Sequence, residues 1–117
     1  MIPTFQQIRI QILKELYAGG VMRAKDLQAP LAKHFNLSEE ELNANYASGN
    51  GNIFRDRISW ALSYLFIAKL VERPQKGDYV ISQKGKNMIT SHTEEEINRY
   101  VNDTVNKPKK TAENKAE

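Results

Sequence analysis

Apolar positions recur at helical spacing along most of this chain, broken once by a short alternating stretch. Phe5, Ile8, Ile12 and Leu16 form one stripe, widened by Leu13 and Tyr17, while Arg9, Gln11, Lys14 and Glu15 fall on the wetter side. Thr4, with Gln7 three residues on, starts this first helix as a capping box, and Gly19-Gly20 stops it. Val21-Met22-Arg23 predicts a small edge strand. A second helix follows from about Ala24 to Phe35, with Leu27, Leu31, Ala32 and Phe35 on one face and a kink at Pro30. Ser38 followed by Glu39-Glu40-Glu41 predicts a short third helix ending near Ala44, and 45–51 reads as a loop.

The long helix predicted over 52–70 is the centre of the pattern. Phe54, Ile58, Ala61, Leu62 and Leu65 share its core face. Asn52, Asp56, Ser59, Trp60, Ser63 and Ile67 lie opposite, flanked by Arg55 and Arg57 near the N-terminal end. Leu70-Val71-Glu72-Arg73, the turn Pro74-Gln75-Lys76-Gly77-Asp78 and the return Tyr79-Val80-Ile81 then read as a β-hairpin. Ser82 caps another helix over 83–89. Thr93 with Glu94-Glu95-Glu96 caps a last one carrying Ile97, Tyr100, Val101 and Val105. The fold class expected is mainly α with a small β-hairpin (α+β), a winged helix-turn-helix. The expected organisation is a winged-helix domain over 1–92, an extension helix over 93–105 and a disordered tail or linker over 106–117.

Charge sharpens this picture. The net charge of +3 is mild, but 52–86 holds seven basic residues (Arg55, Arg57, Lys69, Arg73, Lys76, Lys84, Lys86) against three acidic ones, a local +4. Residues 93–117 hold five basic and six acidic, a local −1. A basic patch on one helix–hairpin unit is the footprint of a phosphate-backbone binder. The candidate DNA-binding residues are Asn52, Arg55, Arg57, Ser59, Ser63, Arg73, Lys76 and Lys84. The major groove admits a helix, and Asn52, Arg55, Ser59 and Ser63 are the residue types that read base edges there. Arg73 and Lys76 would reach the backbone from the hairpin. Arg55 and Arg57 could instead pair with Asp56, Glu72 or solvent. Trp60 is expected to pack against the hairpin or the last helix.

Other chemistry is poorly represented. The chain has no cysteine, hence no disulfide framework or thiolate site. His34 and His92 have no ligand-spaced partner, and both glutamate triplets are better explained as helix starts. No P-loop, dinucleotide fingerprint or serine elbow occurs. Neither a cofactor nor a metal is expected, nor catalysis by this chain. Without a signal-peptide pattern or about 20 consecutive apolar residues, the reading is cytoplasmic, with no membrane partner.

The run F-R-D-R-I-S-W-A-L-S-Y-L-F-I-A-K-L-V-E followed by P-Q-K-G-D-Y-V-I-S-Q-K-G, with the opening I-P-T-F and the segment F-N-L-S-E-E-E, resembles the N-terminal domain of Mrr-type restriction endonucleases over roughly 2–89. That resemblance implies a winged helix that recognises DNA, often modified DNA, for a separate nuclease domain of the PD-(D/E)xK class. Residues after 106 leave no room for that nuclease, so a separate nuclease domain is a candidate partner. Double-stranded DNA is the expected ligand. The alternative is a winged-helix regulator or a protein-interaction module, with Trp60, Tyr64 and Ile67 as an apolar patch and 94–105 as a homodimerising or partner-docking helix.

Overall fold

The computed structural model describes residues 2–49 and 51–106. Elements run in the order α1 (Phe5–Gly19), β1 (Met22–Arg23), α2 (Ala24–His34), α3 (Glu39–Leu42), α4 (Ile53–Ile67), β2 (Val71–Glu72), β3 (Asp78–Ile81), α5 (Gln83–Ser91) and α6 (Glu94–Val105). The expected tail over 106–117 lies outside the described residues, except for Asn106. No helix among the described residues is long and apolar enough to cross a membrane.

Local signals set most boundaries. The side chains of Thr4, Ser38, Ser82 and Thr93 each accept a backbone N–H in the first turn of the helix that follows. Thr4, Ser38 and Thr93 close full capping boxes with Gln7, Glu41 and Glu96. The Glu39 and Glu94 triplets thus sit at the positive ends of helix dipoles. The Thr93 bonds hold the Glu96 carboxyl below its usual range. Helix α2 runs through Pro30 and ends at His34.

Helix α1 is the hub. It packs against α2, α4, α5, α6 and β3. Ile8, Ile10, Ile12, Leu13 and Leu16 are all buried, on more than one face of the helix. The side chain of Phe5, expected in the same stripe, lies outside the described part. Two expectations for α1 are corrected. Arg9, expected on the wet side, is fully buried, and Tyr17, expected in the stripe, is 53% exposed. For Arg9 the reason is that α6 covers that side of the helix, with Asn98 and Asn102 accepting from its guanidinium.

Strand β3 is the middle of a three-stranded antiparallel sheet in the order β1-β3-β2. Met22 faces Tyr79 and Val71 faces Ile81 in the registers. Helices α2 and α4, the small sheet and the β2–β3 hairpin give an α+β, winged-helix-like arrangement, as the sequence predicts. In α4 the five expected core residues, Phe54, Ile58, Ala61, Leu62 and Leu65, are all buried.

Helix α4 ends three residues earlier than the hydrophobic pattern predicts. Lys69 takes a left-handed conformation (φ 68°). Its N–H bonds the Phe66 carbonyl at 3.0 Å, and the Leu70 N–H bonds the Leu65 carbonyl at 2.9 Å. This is a Schellman ending, normally built on glycine. The left-handed conformation costs a residue with a Cβ about 1–2 kcal/mol, against about 0.5–1 kcal/mol of extra backbone entropy lost by glycine. Lys69→Gly is therefore expected to raise stability slightly, by roughly 0.5 kcal/mol. A urea midpoint that stays put or falls would mean that the Lys69 stem contributes packing of its own.

Past the turn, Ser82 ties this ending to the wing. Its N–H donates to the Leu70 carbonyl at 2.9 Å, and its hydroxyl donates to the Lys69 carbonyl at 2.7 Å. The same hydroxyl accepts the Gly85 N–H at 2.9 Å as the cap of α5. One buried serine thus joins the end of α4, the end of β3 and the start of α5.

Candidate nucleic-acid interface

The exposed side of α4 is built by its entry loop. Asn45 and Asn52 form an isolated antiparallel bridge, and the Ile53 N–H bonds the Ala44 carbonyl at 3.1 Å. Asn52 is the helix cap. Its side-chain oxygen accepts the Arg55 N–H at 3.0 Å, and its amide nitrogen donates to the Leu42 carbonyl at 2.7 Å. Both ends of this amide are therefore engaged in fixing the loop.

Arg55 is exposed in the first turn. It lines a shallow hollow of about 450 Å³ with Asn45, Gly51, Asn52, Asp56 and Ser59. Ser59 and Ser63 are exposed one and two turns further along. At 100° per residue, Phe66 continues the row of Arg55, Ser59 and Ser63. Phe66 is the residue that the sequence reading missed here. It is 43% exposed, and the Arg73 guanidinium carbon lies 5.3 Å from its ring centroid and 5.7 Å from that of Tyr79. Arg73 is thus held between an aromatic ring of α4 and one of β3, an arrangement that fixes its long side chain. Lys76 is exposed on the turn beyond it, and Phe66, Arg73 and Lys76 line a second groove of about 380 Å³ between helix and wing.

The remaining two sequence candidates are occupied inside the molecule. Arg57 is half-buried and donates to the Pro3 carbonyl at 2.9 Å and the Ile2 carbonyl at 3.4 Å, holding the N-terminal segment against α4. Lys84 donates to the Tyr100 hydroxyl and lies 4.6 Å from the centroid of its ring. That bond lowers the Tyr100 hydroxyl pKa from its ordinary value. The structure therefore brings Arg55, Ser59, Ser63, Arg73 and Lys76 to one side, and turns Asn52, Arg57 and Lys84 to structural bonds.

Acidic neighbours among the described residues form no ion pair with the cations of this side, although the Asp56 carboxylate lines the Arg55 hollow. Asp56 accepts a hydrogen bond from the Tyr46 hydroxyl at 2.9 Å, which raises the Tyr46 pKa. Asp78 pairs with Arg23 of β1 at 3.5 Å. Among the described residues, the ion pairs fall at Lys14–Glu94, Arg23–Asp78 and Arg99–Glu95, none of them involving Arg55, Arg73 or Lys76.

Trp60 is a further correction. Expected to pack against the wing or the last helix, it is 54% exposed. It meets Tyr64 edge-on, with centroids 6.0 Å apart, on the flank of α4. Tyr46, Asp56, Arg57, Trp60 and Tyr64 enclose a hollow of about 380 Å³ there.

Searches among curated proteins and among solved structures return no match to this chain. A protein-family model does match. Residues 5–91 fit the one described as the Mrr N-terminal domain, which takes in every element from α1 to α5.

Proposed function

The chain belongs to the Mrr N-terminal domain family, and from that premise we propose that it binds double-stranded DNA as the recognition module of an Mrr-type restriction system, without cutting it. Helix α4 enters the major groove with Ser59 and Ser63 toward the bases and Arg55, in its first turn, at a flanking phosphate. The β2–β3 wing lies along the sugar-phosphate backbone through Arg73 and Lys76. The observation that carries this reading is the side shared by Arg55, Arg73 and Lys76, where three exposed cations on a rigid helix–wing unit have no carboxylate partner. Lys14, Arg23 and Arg99 do have one, whereas Lys25, Lys33, Lys69 and Lys86, also exposed, have none among the described residues, so what distinguishes the three is the side they share. A cation without a partner is available to displace the counterions condensed on DNA, and that release supplies much of the affinity.

Salt dependence is the test. Binding to a duplex oligonucleotide is measured by anisotropy over a salt series. Each phosphate contact removed lowers the slope of log K against log salt by about 0.9. Replacing Arg55, Arg73 and Lys76 together by alanine should flatten the slope by about 2–3 and weaken binding at every sequence. Lys84→Ala, whose ammonium is held by Tyr100, should change it much less. A triple variant with the parental slope would remove the proposal. The family also supports sensitivity to base modification, which a comparison of methylated, hydroxymethylated and unmodified duplexes decides. Equal affinity for the three would leave plain duplex binding alone.

A further inference from the structure

Helix α4 carries a second, chemically different hollow that the groove-and-wing reading does not use. Tyr46, Trp60 and Tyr64 bring three aromatic side chains around one space of about 380 Å³, with the Asp56 carboxylate and the Arg57 guanidinium completing its wall. The walls are held from outside. The Tyr46 hydroxyl donates to Asp56, Arg57 is pinned by the Pro3 and Ile2 carbonyls, and the Tyr64 ring lies under the Arg9 guanidinium at 5.0 Å. Trp60 alone of these aromatics is predominantly open to solvent.

An open tryptophan beside two tyrosine rings held in place suits a flat ring better than an aliphatic chain. The carboxylate narrows the choice further. It accepts from a neutral amino group. Asp56 also lines the Arg55 hollow, so the two spaces adjoin along one turn of α4. A nucleotide whose phosphate meets Arg55 can therefore deliver its base next door.

We infer that this hollow receives one nucleobase turned out of the DNA stack, stacked on Trp60, with its exocyclic amino group donating to the Asp56 carboxylate. The inference rests on the DNA-binding reading above. A base already unpaired costs least to turn out, so such sites should be preferred. The ligand class is an extrahelical base with an amino group, cytosine, adenine or guanine, and thymine lacks that donor.

Trp60 is the only tryptophan, so its emission reports the hollow directly. The full chain is titrated with four duplexes of one sequence: fully paired, with a single extrahelical cytosine, with an extrahelical thymine, and with an abasic residue at that place. The cytosine duplex should bind about tenfold more tightly than the paired one and quench Trp60 most. The thymine duplex should gain less and the abasic one nothing. Trp60→Leu, assayed by anisotropy, should lose the preference for the cytosine duplex over the paired one. Equal affinities and equal quenching across the four duplexes overturn the inference while leaving duplex binding intact. Equal gain from cytosine and thymine removes the role given to Asp56. Failure to bind any of the four overturns both readings.

Discussion

Gly85→Ala is expected to destabilise the domain by about 2–3 kcal/mol, the upper part of the range for overpacking a close-packed site. A Cβ placed on Gly85 would lie 2.2 Å from the Leu70 carbonyl oxygen and 2.7 Å from Cγ1 of Ile81. The carbonyl cannot simply step aside, because it accepts the Ser82 N–H at 2.9 Å and belongs to the turn that ends α4. The sign is informative. Alanine is about 1 kcal/mol better than glycine inside a helix, so propensity alone would make this substitution stabilising. Tm should instead fall by about 10 °C or more. A Tm that holds or rises would mean that α5 sits further from the end of α4 than these distances require.

Arg9→Ala should be comparably costly, about 3 kcal/mol, through a different physical route. The Arg9 guanidinium is fully buried and donates to the side-chain oxygens of Asn102 at 2.9 Å and Asn98 at 3.3 Å. It also lies over the Tyr64 ring at 5.0 Å. Burial pushes its pKa down from the ordinary arginine value, yet arginine remains charged at neutral pH. Truncation removes a large buried side chain and takes the charged donor from two oxygens of α6. The exposed Lys14–Glu94 pair at 3.0 Å contributes little by comparison. The loss should therefore be local first: amide exchange over 94–105 should rise more than over α1 or α4. Arg9→Lys should not rescue it, since an ammonium is more strongly hydrated than a guanidinium and cannot stack on the Tyr64 ring. Uniform exchange with an unchanged Tm would show that α6 is held by Ile97 and Val101 alone.

What the sequence shows and what it hides divide by distance along the chain. Caps at Thr4, Ser38, Ser82 and Thr93 act within three residues, so they are legible. The core face of α4 is legible because a helix against one layer has one apolar stripe. Arg9 is not, because α1 is covered on several sides and its partners lie 89 and 93 residues away. That Arg57 also ties down the N-terminal segment is hidden too, because the Ile2 and Pro3 carbonyls that accept from its Nη1 lie 55 and 54 residues back. Asn52 reads as a base reader for the same reason: its acceptor at Leu42 depends on how the entry loop returns. Phe66 could have been found, since the row through Arg55, Ser59 and Ser63 reaches it and Arg73 follows closely in sequence.

The Ser82 joint has a consequence for how work is divided between protein and nucleic acid. With one hydroxyl bridging Lys69 and Gly85 and the Ser82 N–H held by the Leu70 carbonyl, the end of α4 and the base of the wing form a braced corner. On the DNA-binding reading, such a corner is a gauge of fixed span. A duplex whose groove is too wide or too narrow must itself be deformed to meet Arg55 and Lys76 together, so the elastic energy is stored in the DNA. Sequences that deform easily would then be favoured at steps that no side chain touches.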